Sequence, residues 1–476
     1  MRQAAVAEVF DVSWTCMSRL RITGNLAMKK SLFGTDGIRG VVNKYPITAE
    51  LALKVGRAVG CLLQSDKHTP TILIGKDTRL SGYMIENALT AGLCSMGAHV
   101  LLVGPLPTPG VSYIMRSLRA DGGIMISASH NLSQDNGIKF FGPDGFKISD
   151  AMEAEIERLV ALPDADCVRP EADRVGTARR IDDAVGRYIE FVKASFPKKM
   201  RLDGLKIVCD CANGALYKVA PYALSELGAQ VIPIADHPDG HNINRNCGAV
   251  HPEKMRAAVI ENKAHLGIAF DGDGDRIVMA DEEGGLLDGN GILAILGVDM
   301  LERNALAHNT VVATVMANIG LERALEPLGG RVERTNVGDR HVVALMREQG
   351  YLLGGESSGH IIMLEHNTTG DAMLAALRML ATLIRRDQPL SEFAKIYQPL
   401  PEAQTTVRVN GTWPTTDTLN RIQREGEESV NSGGRVIIRP SGTEPIIRIM
   451  VQHESIRKAQ TLARHLSDKV GALPAS

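Results

Sequence analysis

Short β-branched runs alternate with amphipathic stretches over most of the chain, and this rhythm limits the possible folds more than any other feature of the sequence. Leu51, Val55, Ala58, Val59 and Leu62 fall on one helical face. Strands are expected at 71–75, 99–103 and 123–127, with helices at about 81–96 and 107–118 between them. The rhythm then restarts twice. Strands at 205–209, 231–235 and 266–270 alternate with helices at 214–227 and 252–263. Strands at 276–280 and 310–315 follow, with helices at about 290–304, 319–327, 338–349 and 370–387. Repeated βαβ units return each strand through a helix, which predicts mostly parallel sheets with helices packed on them. A Pro/Glu-containing stretch at 398–403 reads as a linker. Beyond it, strands at 435–439 and 446–451 and a closing helix after Glu454 make a smaller α+β unit.

The expected organisation is α/β: three similar units with mixed, mostly parallel sheets and a distinct C-terminal unit. The expected bounds are 28–182, 183–280, 281–397 and 398–476. The chain has 476 residues, enough for about three or four domains at roughly 100–200 residues each. Residues 1–27 carry Arg2, Arg19 and Arg21 but no continuous apolar run. They are expected to be a dispensable, disordered extension upstream of the usual start rather than a secretory signal. The net charge is −2, which gives no support to nucleic-acid binding through bulk positive charge. No apolar run approaches a membrane span. The seven cysteines, Cys16, Cys61, Cys94, Cys167, Cys209, Cys211 and Cys247, are scattered and odd in number. Reduced thiols in a cytoplasmic protein are the expectation. Cys209 and Cys211 sit two apart in an apolar run, on one side of a strand, and are expected in the core.

Asp271-Gly272-Asp273-Gly274-Asp275-Arg276 is the densest chemical signal. Two unit charges 4 Å apart repel by roughly 1 kcal/mol in water and about 4 kcal/mol at an effective dielectric of 20. A loop that converges three carboxylates therefore calls for a cation, and all-oxygen ligands select a hard ion such as Mg²⁺ or Ca²⁺. An EF-hand does not fit, since Arg276 stands where its glycine is required and the flanks read as strands. Ser127-Ala128-Ser129-His130-Asn131 follows a predicted strand. No G-x-S-x-G surrounds the serine, so a hydrolase elbow is not expected. By itself this segment reads as a strand-end turn; beside a cation it reads as a phosphate-carrying hydroxyl. Arg439-Pro440-Ser441-Gly442-Thr443-Glu444-Pro445, with Arg448 beyond, offers forked guanidiniums, hydroxyls and loop N–H groups to a phosphate. Gly354-Gly355-Glu356-Ser357-Ser358-Gly359-His360 offers hydrogen bonds to sugar hydroxyls and an imidazole to move protons. Gly34-Thr35-Asp36-Gly37-Ile38-Arg39-Gly40 places an arginine in a glycine-rich loop, as a phosphate contact or a surface turn.

In this order, the segments KKSLFGTDGIRG, GKDTRLSGYMIENAL, GPLPTPGV, GIMISASHN…DNGIKFF, GGESSGHII, TTGDAM and RPSGTEPIIRIMV resemble the α-D-phosphohexomutase superfamily from Ser31 to about the last helix. Its bacterial members that convert glucosamine phosphates are the most similar. The resemblance implies four domains around a central cleft, and an isomerase of the intramolecular phosphotransferase type. Carried over by motif, Ser129 is the phosphoserine, and Asp271, Asp273 and Asp275 hold Mg²⁺ together with the Ser129 phosphoryl oxygen. Arg39 and Lys139 surround the transferring phosphate, with Lys139 and His360 moving protons. Arg276 lies at the substrate, and Glu356 and Ser358 contact sugar hydroxyls. Arg439, Ser441, Gly442, Thr443 and Arg448 clamp the distal phosphate.

The implied reaction interconverts glucosamine 6-phosphate and glucosamine 1-phosphate through a 1,6-bisphosphate, which also serves as activator. It feeds UDP-N-acetylglucosamine and cell-wall synthesis. The implied partners are a small-molecule sugar phosphate and a second copy of the chain in a homodimer, with no nucleic acid and no membrane. A mobile C-terminal unit hinged near 398–403 would let the intermediate turn. The chain departs from the common pattern at Leu132, where proline often follows the serine motif, and at Asn290, where an acidic residue is common. The rival expectations are a phosphomannomutase/phosphoglucomutase of the same superfamily, a phosphatase with Asp271 as nucleophile, and a non-catalytic sugar-phosphate sensor.

Overall fold

The structure is a computed structural model that describes residues 32–473 apart from 35, 66–67, 164–168, 410–412, 431–432 and 442–444. The expected extension at 1–27, and Gly442 and Thr443 of the expected phosphate clamp, lie outside the described residues.

Four sheets follow one another along the chain. The first holds β1 (Ile38–Val41), β2 (Thr71–Lys76), β3 (His99–Pro105), β4 (Gly122–Ile126), β5 (Asp135–Phe141) and β6 (Ala178–Arg180), in the order β1-β5-β4-β2-β3-β6. The second holds β7 (Lys206–Asp210), β8 (Gln230–Ile234), β9 (Leu266–Phe270), β10 (Ile277–Asp281) and β11 (Leu286–Leu287), in the order β11-β10-β9-β7-β8. The third holds β12 (Thr310–Thr314), β13 (Arg331–Thr335), β14 (Leu353–Gly355) and β15 (Ile361–Met363), in the order β13-β12-β14-β15. The last is an antiparallel sheet of β16 (Glu402–Arg408), β17 (Gly434–Pro440) and β18 (Ile446–His453), with β18 central.

In the first three sheets a parallel centre gains antiparallel strands on one side. The central parallel strands are buried on both faces and read as continuous apolar runs, such as Leu266–Phe270. The linker expected at 398–403 ends earlier, because β16 begins at Glu402 and pairs with Gln452. The helix expected at 214–227 is shorter, Val219–Glu226. Residues 211–215 are instead a turn, with Ala212 and Asn213 in left-handed conformations. The helix Ala372–Arg386 shows how local signals fix an element. Asp371 accepts a hydrogen bond from Leu374 N at 3.0 Å, a cap worth about 1 kcal/mol, and its apolar face is fully buried.

The topology repeats where it matters. In each of the first three units, the turn from the last central parallel strand to its antiparallel neighbour carries one of the motif loops. Residues 127–134 join β4 to β5, residues 271–276 join β9 to β10, and residues 356–360 join β14 to β15. The fourth motif occupies the turn from β17 to β18. One apolar core runs through the first three units, from Leu73 and Met125 through Ile207 and Phe270 to Val311 and Leu374. The C-terminal unit has its own core, including Leu419, Val436, Ile447 and Leu466. No helix among the described residues is long and apolar enough to cross a membrane.

Candidate active site

The serine loop and the acidic loop meet backbone to backbone. A Cβ on Gly272 would lie 2.7 Å from the Ser129 carbonyl oxygen, so only glycine permits the approach. Ser129 Oγ donates to Asp271 Oδ2 at 2.6 Å. Ser129 itself has φ 51°, a left-handed conformation uncommon for a non-glycine residue and found at functional sites. Its backbone is held from several directions. Ser127 Oγ accepts from Ser129 N at 2.8 Å. Arg79 Nη2 donates to the carbonyls of Ser129 (3.2 Å) and Asn131 (2.5 Å), and Asn244 Nδ2 donates to the same two at 2.8 and 2.9 Å. Arg79 is buried and paired with Asp77. Leu132, on the same loop, is 42% exposed and contributes no polar group.

Asp271, Asp273 and Asp275 are buried and bring one carboxylate oxygen each to within 4.8 Å of one another. Burial, and then the charges of Asp275 and Asp273, push the Asp271 carboxyl well above its ordinary pKa. Burial would also raise Asp275, but Lys139 and His360 beside it hold it well below the usual range. Oδ1 of Asp273 and Oδ1 of Asp275 are buried without a hydrogen-bond partner. Unmatched buried carboxylate oxygens, on a loop that converges three of them, fit a hard divalent cation. Thr108 opens the helix Thr108–Ser117 and fixes the loop from below, with Oγ1 donating to Asp273 Oδ2 at 2.6 Å and N to Asp273 O at 2.8 Å.

Lys139, on β5, lies 2.9 Å from Asp273 Oδ2, 3.2 Å from Asp36 Oδ2 and 3.4 Å from Asp275 Oδ2. Burial alone would lower its pKa, but Asp273, Asp36 and Asp275 raise it further, so it is held as an ammonium. Arg39 on β1 pairs with Asp36. His130 is pushed down to about 4 by burial and by Arg276 and Arg39, so it is neutral at neutral pH. His360 Nδ1 faces Asp275 Oδ1 at 3.7 Å and Nε2 faces Asp339 Oδ2 at 3.4 Å. These carboxylates outweigh burial and raise its pKa. Arg276 Nε lies 3.9 Å from Asp275 Oδ1, and Glu356 is close enough to add to the rise in the Arg276 pKa. Ile277 N donates to Gly359 O at 3.1 Å, which joins the third loop to the second. Glu356 is half-buried and Ser358 exposed on that loop.

The structure thus places Ser129, Lys139, Arg39, Asp271, Asp273, Asp275, Arg276, Glu356, Ser358 and His360 on converging loops and strand ends. Arg439 and Arg448 are direct partners across β17 and β18, beside Ser441, whose N donates to Ile446 O at 2.8 Å. Burial and the Arg448 charge together lower the Arg439 pKa. Asn290 Nδ2 donates to Asp288 Oδ2 at 3.0 Å at the start of the helix Gly289–Glu302, a local role that needs no acid. Asp36, Asp77, Arg79, Thr108, Lys147, Asn244 and Asp339 were not singled out by the sequence reading. Each acts on a residue far away along the chain or through a single local turn, and no spacing rule marks them. The segments GTDGIRG and GKDTR contained three of them.

Residues 30–165, 186–285 and 288–400 match the profiles of phosphoglucomutase/phosphomannomutase alpha/beta/alpha domains I, II and III, and residues 384–469 match the C-terminal domain of the same family. The chain is 53% identical over 446 residues to a phosphoglucosamine mutase of Anaeromyxobacter dehalogenans, covering 92% of this chain and 97% of the relative. It is 54% identical over 447 residues to a phosphoglucosamine mutase of Syntrophotalea carbinolica, covering 93% and 98%. Among solved structures, a phosphoglucomutase/phosphomannomutase family protein of Burkholderia thailandensis superimposes with a TM-score of 0.78 at 24% identity, covering 93% of this chain and 98% of that one. An N-acetylphosphoglucosamine mutase of Aspergillus fumigatus, in complex with GlcNAc-6P and magnesium, gives a TM-score of 0.64 at 20% identity, covering 93% and 96%.

Proposed function

The chain belongs to the phosphoglucomutase/phosphomannomutase family of the α-D-phosphohexomutase superfamily, and from that premise we propose that it interconverts glucosamine 6-phosphate and glucosamine 1-phosphate. It is an enzyme, a phosphosugar mutase of the isomerase class. The observation that carries the assignment of roles is the 2.6 Å contact between Ser129 Oγ and Asp271 Oδ2, which puts a hydroxyl at the edge of a three-carboxylate cluster.

Asp271, Asp273 and Asp275 beside Ser129 are the residues that would hold a magnesium ion, which when bound would supply positive charge to phosphoryl oxygens. Ser129 carries that group. It passes the phosphoryl to O1 of glucosamine 6-phosphate, the 1,6-bisphosphate turns end for end, and the 6-phosphoryl returns to Ser129 as glucosamine 1-phosphate leaves. Sugar 1,6-bisphosphate from solution recharges an unphosphorylated Ser129. Arg39 and Lys139 steady the phosphoryl oxygens. Lys139 and His360 are the groups placed to move protons: in the cationic form that their carboxylate neighbours favour, one gives a proton to the leaving oxygen, and in the neutral form so produced it takes the proton of the attacking hydroxyl. Glu356 and Ser358 read sugar hydroxyls, with Arg276 between them and the acidic loop. Arg439, Ser441, Gly442, Thr443 and Arg448 hold the distal phosphate. The C-terminal unit would hinge at 398–401, the part of the expected 398–403 linker that precedes β16; Asn318 Nδ2 donates to Leu400 O and Leu400 N to Asn318 Oδ1, both at 2.9 Å, which ties one point of the connection to the third unit.

The test is a coupled assay with glucosamine 6-phosphate, Mg²⁺ and a trace of sugar bisphosphate, run beside the glucose and mannose phosphates. Turnover highest with the amino sugar is expected. Higher turnover with glucose or mannose phosphate would overturn the substrate assignment while keeping the mutase.

A further inference from the structure

Asp339 and Arg340 open the helix Asp339–Gln349 of the third unit, and both reach across to the first unit. Lys147 Nζ lies 2.6 Å from Asp339 Oδ2 and pairs as well with Asp36 Oδ1. Arg340 pairs with Asp150 and Glu153. The signs are crossed: an acid followed by a base on one side meets a base followed by acids on the other. A slip of this contact would bring like charges together, so the arrangement selects one register as well as holding the two units together.

The parts joined in this way are the two sides of the reaction. On the third unit, Gly338 N donates to Glu356 Oε1 at 3.1 Å, and Asp339 Oδ2 lies 3.4 Å from His360 Nε2. Gly338 thus holds Glu356, and Asp339 faces His360, whose Nε2 also accepts a hydrogen bond from Gly370 N at 3.2 Å. On the first unit, Asp36 faces Arg39 and, at 3.2 Å, Lys139. Lys147 stands between these two sets. Its side chain is 14% exposed and that of Asp339 13%, so water replaces little of the pair. Burial alone would lower the Lys147 pKa, but Asp339 and Asp36 outweigh it and raise it. Removing it would leave two half-buried carboxylates facing each other across the unit boundary.

We propose that Lys147 and Asp339 are positioning residues, whose ion pair sets the spacing between the phosphoryl-transfer wall on the first unit and the sugar-reading loop on the third. The inference rests on the mutase reading above. With the pair broken, the phosphate clamp and the acidic loop are intact, so substrate and cation still bind. The sugar oxygen, however, is presented off line.

The test is a kinetic double-mutant cycle on the full chain with Lys147→Met, Asp339→Asn and the two combined, assayed beside wild type. Calorimetric Mg²⁺ affinity and thermal melts are recorded on the same samples. Each single variant is expected to lose about 100-fold in kcat, the scale of a displacement of roughly 1 Å. KM is expected to stay within about threefold, and the double variant to be no slower than the slower single. Mg²⁺ affinity is expected to be unchanged, and Lys147→Arg, which keeps the charge, to recover most of the loss. Additive losses, a matching loss of Mg²⁺ affinity, a rise in KM at constant kcat, or full activity in the single variants would each overturn the proposal. If Lys147→Met does not fold, the isosteric Asp339→Asn and the charge-keeping Lys147→Arg decide it by the same kcat and KM criteria. A wild-type chain inactive on every hexose phosphate would remove the mutase reading and this inference with it. An active wild type with unaffected variants would remove this inference alone.

Discussion

The first three units and the fourth solve different physical problems. The first three share one apolar core, so Leu73 of the first, Phe270 of the second and Leu374 of the third belong to a single packed body. Their three motif loops are bonded to one another at Ser129–Asp271 and Ile277–Gly359. The fourth packs around its own core of Leu419, Val436, Ile447 and Leu466. Its contacts with the third unit include Ile319 N to Gln452 Oε1 at 3.1 Å and the Asn318–Leu400 pair. Phosphoryl transfer depends on placement to within about 0.5 Å and benefits from rigid support. Holding either end of a turning intermediate instead requires a grip that can release. The proposed roles divide in the same way: the serine and the acidic loop lie on the shared body, and the paired arginines on the separately packed unit.

The contrast can be broken most forcefully at the hydroxyl. Ser129→Ala is expected to cost roughly 10⁴-fold or more in kcat, as removal of a nucleophile does. Thermal stability should be nearly unchanged, and kinetics with a circular-dichroism melt check both. The next effect is at the acidic loop. Saturating Mg²⁺ should raise the melting temperature of wild type, with about 2.7 kcal/mol gained at a concentration 100 times Kd. In Asp271→Asn that gain should be lost along with activity. Calorimetric titration measures the binding directly, and an undiminished Mg²⁺ response would detach the cation from this loop.

At the fourth unit, Arg439→Met or Arg448→Met should raise KM by about 10- to 100-fold, the loss of one charge-assisted contact worth about 1.5–3 kcal/mol. Phosphorylation of Ser129 should persist. A fall in kcat without a change in KM would mean that the two regions are not divided as described. The last effect is on stability alone and concerns Asp371, which burial pushes up to about 6 from its usual 3.8. A raised folded-state pKa means that its contribution is complete below the unfolded value and is lost as pH rises through the folded one. Stability should therefore fall between these two values by on the order of 3 kcal/mol from this group. Melts of Asp371→Asn, which keeps the capping oxygen, should show a flatter pH profile there.

Much of this was legible in the sequence, for identifiable reasons. Strands such as Leu266–Phe270 announce themselves as apolar runs, and the helix expected at about 370–387 is found at Ala372–Arg386. The carboxylates of 271–275 are adjacent in sequence, so local spacing alone shows their mutual repulsion and the need for a cation. What the sequence hid is convergence. Lys147 and Asp339 are 192 residues apart, and Asn244 reaches Ser129 across 115. No periodicity links such pairs. The repeated use of one turn, between a parallel strand and its antiparallel neighbour, was also invisible, because the three motif loops that use it share no residue pattern. The end of the linker was misplaced for a plainer reason: Glu402 and Ala403 look like connection, but the ladder to β18 recruits them.

The central claim is that the Ser129 hydroxyl carries the phosphoryl group. It is tested most directly by incubating the chain with a sugar 1,6-bisphosphate and Mg²⁺ and locating the phosphate by peptide mass spectrometry. Acid-stable phosphate on Ser129, chased off by glucosamine 6-phosphate, is the expected result. Phosphate on Asp271, or full turnover in a chain that never carries phosphate at Ser129, would contradict it.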